Sequence, residues 1–238
     1  MRSPADEGPW LIKGTVASTQ SLATAILVEG RERVPGIVFA VDQTEGRGRF
    51  HRAWYSEPEQ SLTMSLIYRN YADHTKPWLI GMAVSIAVAE AVGGRLNWPN
   101  DVVINKKKVG GILTELIDTR EYGKVPVIGV GVNLNQLSFP FELSNRATSL
   151  LKETGQSYNA LDLAKKIVAL LSEVPEPEDW ASLQKVWMNY DDTPGKRYRL
   201  PTGEESVAKH VGEHGELICA VNGEERSVLA AEALFGED

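Results

Sequence analysis

The longest apolar run in the chain, Trp78 to Val92, carries a single charge, Glu90, with Pro77 ahead of it and Gly93-Gly94 behind. Proline suits a first helical turn and glycine closes a last one, so the run reads as one helix. A helix this apolar must be buried, and a sheet is the surface that can bury it. It falls short of a membrane span, and Met1 to Pro9 lacks the apolar centre of a signal peptide, so no membrane association is expected. A chain of 238 residues buries roughly 70% of its unfolded surface, enough for a substantial core.

The rest of the pattern mixes strands and helices. Ser18 and Thr19 stand before Leu22, Ala23, Ile26 and Leu27, with Gly30 after them, which predicts a capped helix. Gly36 to Val41 and Leu62 to Tyr68 have strand length and composition. Leu96 to Trp98 is extended ahead of Pro99, Val102 to Ile104 forms a hairpin with Val109 to Leu116, and Val127 to Leu134 is a further strand. Helices are expected at Leu161 to Val174 and Trp180 to Tyr190, and Met1 to Pro9 reads as a loose lead. After Asp191 the pattern changes to short strands separated by glycine turns: Arg197 to Leu200, Ser206 to Val211, Leu217 to Val221 and Arg226 to Leu229. The expectation is an α+β fold, a mixed sheet with flanking helices over residues 1–191, and a small β-barrel over 192–238.

Charge narrows the function. Twenty-five basic residues against 32 acidic ones leave a net charge of −7, so the bulk field repels polyanions and no nucleic-acid binding is expected. One cysteine, Cys219, and four histidines give neither a disulfide framework nor a metal-ligand spacing, which fits a reducing, cytoplasmic setting and predicts no metal site.

Three loops carry polar chemistry against this background. In Gln43-Thr-Glu-Gly-Arg-Gly-Arg49 and the following Arg52 and Trp54, three arginines stand against Glu45, and Gly46 and Gly48 allow close backbone approach. Guanidinium forks suit carboxylate or phosphate, which favours a small anionic ligand. Trp98-Pro-Asn-Asp101 offers an amide and a carboxylate at a strand end. Lys106-Lys-Lys108-Val-Gly110-Gly111 puts a cation beside two glycines that leave room for something to pass. Taken singly, each also fits a solvated loop or an Asx turn.

Together and in order, Ser18-Thr19, Gln43-x-x-Gly46-Arg-Gly-Arg49, Arg52 with Trp54, Trp98-Pro-Asn-Asp101, Lys108 with Gly110-Gly111-Ile-Leu and Gly129-Val-Gly-Val-Asn133 resemble the biotin protein ligase family. The resemblance spans Ser18 to Asn135, and the tail after Asp191 is similar to that family's SH3-like domain. It implies a sheet related to class II aminoacyl-tRNA synthetases and a two-step reaction. ATP, brought with Mg2+, activates biotin as biotinyl-5′-AMP, and biotin passes to a lysine of a biotin carboxyl carrier protein. It also implies a cytoplasmic enzyme and, by likeness alone, a homodimer.

The resemblance further implies roles. Ser18, Thr19 and Gln43 meet the biotin headgroup, Gly46 permits close approach, and Gly110 and Gly111 leave room for biotin. Arg47 and Arg49 face the carboxylate and the forming phosphate linkage, while Arg52, Trp54 and Asn133 meet the nucleotide. Asn100 and Asp101 lie beside the phosphates and the arriving lysine, and Lys108 offsets transition-state charge. Departures stand at Asn97, where lysine is common, and at Glu45 and His51; Arg95 is the expected substitute cation for Asn97. Family members with an N-terminal winged helix-turn-helix repress transcription, and the 17 residues ahead of Ser18 leave no room for one. Rival expectations are a lipoate or octanoate ligase or transferase of the same fold, a non-catalytic biotin or nucleotide sensor, and an SH3-like interaction protein.

Overall fold

A computed structural model describes residues 1–30, 33–200 and 202–229, with His51 placed in backbone only. The expected roles of the His51 side chain and of residues 230–238 in the C-terminal unit therefore lie outside the described residues.

The chain runs through β1 (Trp10–Val16), α1 (Thr19–Glu29), β2 (Ile37–Gln43), β3 (Ser61–Ile67), α2 (Trp78–Val92), β4 (Arg95–Asn97), β5 (Asp101–Ile104), β6 (Lys107–Thr119) and β7 (Gly123–Asn133). Helices α3 (Leu150–Thr154), α4 (Ala160–Leu170) and α5 (Trp180–Tyr190) follow, then β8 (Arg197–Arg199), β9 (Glu205–Val211), β10 (Leu217–Val221) and β11 (Glu224–Val228). β1 to β7 form one mixed sheet in the order β1-β2-β3-β7-β6-β5-β4, in which only β1 and β2 pair in parallel. The expected small barrel takes the form of a four-stranded antiparallel SH3-like sheet, β11-β10-β9-β8. Together these make the α+β fold expected from the pattern.

Strand alternation sorts the two faces of the large sheet. Ile37 and Phe39 of β2 point into the main core with α2, whereas Val38 between them joins Ala23, Ile26 and Leu27 of α1 on the other side. α2 packs against β4 to β7 and is covered outside by α4 and α5, which is why all of its turns can be apolar. Its C-cap Gly93 takes φ 65°, the left-handed conformation that closes a helix, and Ser18 caps α1 by accepting from Ser21 N. No helix among the described residues is long and apolar enough to cross a membrane.

Two corrections concern the N-terminus. Met1 to Pro9 is not a loose lead: Met1 is buried in the main core, and Glu7 accepts from Asn70 N at 3.0 Å beside Arg69. Trp10–Val16 is an edge strand that the pattern did not announce, because Lys13 and Gly14 interrupt its apolar run. The C-terminal sheet is seated on the large unit. Trp98 Nε1 donates to Gly215 O at 3.0 Å, and a Cβ at Gly215 would stand 2.8 Å from the Trp78 ring.

Candidate functional site

The register of three adjacent strands builds a floor. On one face, Ser65, Gly129 and Leu113 form a row across β3, β7 and β6, and Thr63, Gly131 and Gly111 form the next. Three of those six positions are glycine, so the face is hollow where side chains would otherwise stand. Over it lies a cavity of about 220 Å3, lined by the start of α1, the end of β2, the 47–54 loop, Asn100 and Asp101, and Lys108.

The inner end of this cavity is neutral and hydrogen-bonded across several side chains. Gln43 Oε1 accepts from Thr19 N at 2.7 Å and lies 3.1 Å from Thr19 Oγ1. Ser65 Oγ lies 3.0 Å from Thr19 Oγ1 and 2.9 Å from Gln20 Oε1, and Gln20 Nε2 donates to Val127 O at 3.0 Å. Ser18, Thr19 and Gln20 are each 3% exposed, and Ser65 is fully buried.

The outer end is charged. Lys108 Nζ pairs with Asp101 at 2.6 Å and stands 5.8 Å from the centre of the Trp54 ring. Gly111 gives that lysine its room, since a Cβ there would lie 3.3 Å from Nζ, and a Cβ at Gly131 would lie 2.6 Å from Trp54 Cε2. The indole thus rests on the glycine floor, with its buried Nε1 unpaired. Arg49 Nη1 donates to Asn100 Oδ1 at 3.2 Å, and Asn100 Nδ2 donates to Ile112 O at 2.9 Å. Burial lowers the Arg49 pKa from its ordinary value, with Asp101 opposing that shift and Arg52 adding to it.

Of the residues picked out by sequence, Ser18, Thr19, Gln43, Arg47, Arg49, Arg52, Trp54, Asn100, Asp101, Lys108 and Gly111 line this one cavity. Arg47 and Arg49 do not point the same way, because Arg47 turns outward to the Glu115 carboxylate at the rim. Gly46 lines the adjoining outer cleft, and a Cβ on it would meet Trp54 O at 2.7 Å, so its closeness serves the loop's own backbone. Gly110 faces away, toward Gly131 O and Val102. Asn133 lies one row beyond the floor, with its amide donating to Thr148 O at 3.0 Å, and does not line the cavity. Arg95 is no substitute at Asn97, since its guanidinium serves Asn189 O and Asp191 O. The cation that reaches Asn97 is Lys196, which donates to Oδ1 at 3.0 Å.

Sequence reasoning passed over Gln20 and Leu113 and quoted Gly129 and Gly131 within a motif without giving them a role, yet all four line the cavity. The alternation of Gly129 and Gly131 within a strand was the available signal for the last strand's contribution. Among the described residues no three His, Cys, Asp or Glu side chains gather to hold a metal ion. The arrangement suits an elongated ligand with a neutral hydrogen-bonding head and an anionic end.

Comparison with known proteins agrees with this geometry. The biotin/lipoate A/B protein ligase family matches residues 15–133, half of the chain. The "Bifunctional ligase/repressor BirA" of Bacillus subtilis is 34% identical over 169 residues, 68% of this chain and 52% of that protein. The chain thus spans about half the length of the BirA proteins of Bacillus that it matches. The "Biotin--[acetyl-CoA-carboxylase] ligase" of Paracoccus denitrificans is 26% identical over 230 residues, covering 87% of this chain and 95% of that one. In structure, the biotin protein ligase of Aquifex aeolicus in complex with biotin and ATP superposes with a TM-score of 0.70 at 25% identity, over 95% of this chain and 97% of the other. The glycine floor, the bonded inner end and the charged rim all fall within or beside the matched segment, and the chain belongs to the biotin/lipoate A/B protein ligase family.

Proposed function

We propose that the protein is an ATP-dependent biotin protein ligase that forms biotinyl-5′-AMP and transfers biotin to one lysine of a biotin carboxyl carrier protein. The observation that carries this reading is the convergence of several separate chain segments on one cavity with a neutral inner end and a cationic outer end. The Paracoccus relative named as a biotin–[acetyl-CoA-carboxylase] ligase and the Aquifex ligase bound to biotin and ATP support the choice of substrates.

In the first step a biotin carboxylate oxygen attacks the α-phosphorus of ATP and pyrophosphate leaves. In the second, the carrier lysine's amine attacks the acyl carbon, AMP leaves with the bond electrons, and the amine sheds a proton. Neither step needs a nucleophile from the protein, only alignment and charge neutralisation. Ser18, Thr19 and Gln43 hold the ureido head. Lys108 and Arg49 face the reacting carboxylate and α-phosphate, and Arg47 joins them on leaving Glu115. Trp54 and Arg52 receive the nucleotide. Asp101 is the carboxylate nearest the arriving amine and orients Lys108 until then. Mg2+ neutralises triphosphate charge and travels with ATP, needing no dedicated cage. Residues 1–191 form the catalytic part, 192–238 the appended SH3-like part, and the cytoplasm supplies ATP.

The test is a mass measurement on a purified biotin-carrier domain incubated with the protein, ATP, Mg2+ and biotin. The expected result is one biotin added, none when lipoate replaces biotin. An unmodified carrier together with no pyrophosphate release rejects the reading.

A further inference from the structure

The register that builds the cavity floor continues past the cavity. Asp101 stands opposite Gly111 and Asn97 opposite Asp101, so Thr63, Gly131, Gly111, Asp101 and Asn97 form one row across five strands, on one face of the sheet. At the end of that row stands a second lysine. Lys196 Nζ donates to Asn97 Oδ1 at 3.0 Å and pairs with Asp192 at 2.8 Å. Strands in a sheet are about 4.8 Å apart, so the ammonium groups of Lys108, on Asp101, and Lys196, on Asn97, are roughly 5–10 Å apart, within the reach of a triphosphate. The sheet's own edge holds Lys196 there. Asp192 N donates to Leu96 O at 2.8 Å and Thr193 Oγ1 accepts from Trp98 N at 2.9 Å, so residues 191–193 run beside β4, and Ala208 N then donates to Lys196 O at 2.8 Å. The contact with Asn97 also has a fixed direction. An ammonium only donates, so the Asn97 atom it meets is the oxygen, which Tyr198 OH approaches to 3.3 Å. The Asn97 amide hydrogens are left for a ligand.

We propose that Lys196 of the C-terminal unit, with the Asn97 amide that it orients, binds the β- and γ-phosphates of ATP and steadies pyrophosphate as it leaves. This rests on the ligase reading and extends its site into the C-terminal unit. When the bond from the α-phosphorus to the bridging oxygen breaks, its electron pair passes to pyrophosphate, and Lys196 offsets the added negative charge without moving a proton. The Lys196 and Asp192 side chains are 29% and 36% exposed, so their pairing is weak and an arriving anion can take the lysine over. Biotinyl-5′-AMP carries neither of these phosphates, so the transfer step makes no use of Lys196.

Lys196→Met in the full chain tests the proposal, since it keeps the aliphatic stem and removes the charge. KM for ATP in biotin-dependent pyrophosphate release is expected to rise about tenfold, and added pyrophosphate to inhibit about tenfold less well, as a charge-assisted hydrogen bond is lost. Transfer from preformed biotinyl-5′-AMP to a biotin-carrier domain keeps its wild-type rate, which a merely structural role would not allow, and Lys196→Arg recovers most of the ATP affinity. Wild-type constants for ATP and pyrophosphate in Lys196→Met, or an equal loss in transfer from the preformed adenylate, overturn the proposal. Should Lys196→Met not fold, Asn97→Asp decides. One carboxylate oxygen keeps the bonds to Lys196 and Tyr198, the other replaces the donors offered to phosphate, and KM for ATP must rise about tenfold with transfer from the adenylate unchanged. An unchanged KM overturns the proposal alone, whereas a wild type that releases no pyrophosphate from ATP and biotin overturns the ligase reading with it.

Discussion

The inner and outer ends of the cavity are built on opposite plans. At the inner end Thr19, Gln20 and Ser65 are at most 3% exposed and satisfy one another through the Gln43 amide and the Val127 carbonyl. At the outer end the Arg47 and Lys108 side chains keep 44% and 36% exposure and are held by the carboxylates of Glu115 and Asp101. The inner end is preorganised, and a ligand enters it without moving charge. The outer end stores its cations in internal pairs, and an anion must displace carboxylates to reach them. Exposed pairs of this kind are weak, so the exchange is inexpensive.

The largest effect should come from the outer end. Lys108→Ala or Arg47→Ala is expected to slow pyrophosphate release by at least about a hundredfold with folding intact, since each removes a cation proposed to offset the charge that develops on the transferring phosphate. Turnover near wild type would remove that residue from the site. Thr19→Val sharpens the contrast from the inside: biotin KM should rise roughly tenfold or more while KM for ATP holds, because one buried hydrogen bond is lost. A joint rise in both constants would show that the two ends are not separable. Gly131→Ala pushes on the floor beneath Trp54, where the new methyl would stand 2.6 Å from the ring, and should raise KM for ATP several-fold with little change in biotin Kd. Raising salt from 0.05 to ~0.5 M should weaken ATP binding by a few-fold and leave biotin Kd within about twofold, as screening reaches only the exposed charges. Least of all, Cys219→Ser should leave turnover unchanged: Cys219 is fully buried in β10, and burial raises its thiol pKa, so no reactive thiolate is lost.

Much of this was legible because it depends on local chemistry. Pro77 and the glycine pair bracketed α2, and Ser18 and Gly30 bracketed α1, since caps are written in adjacent residues. The hairpin of β5 and β6 was legible as well, and its turn places Asn105 and Lys106 at φ 49° and 66°. What escaped was set by distant neighbours. β1 owes its strand to pairing with β2, and Met1 to Pro9 owes its order to Arg69, Asn70 and the main core. Asn133 carries a motif's look but spends its amide on Thr148, a partner that only the fold supplies. The site residues gathered from sequence were those with charge or an unusual side chain. Gln20 was not among them, and Gly129 and Gly131 appeared only as part of a motif, because a floor made by missing side chains exists only once strands are in register.

The contact of Trp98 with Gly215 ties the small C-terminal sheet to the turn that presents Asn100 and Asp101. Thr193 adds a second tether at Trp98 N, 2.9 Å away. The appended sheet therefore braces the turn that carries Asn100 and Asp101, and loosening it would blur the aim of both side chains.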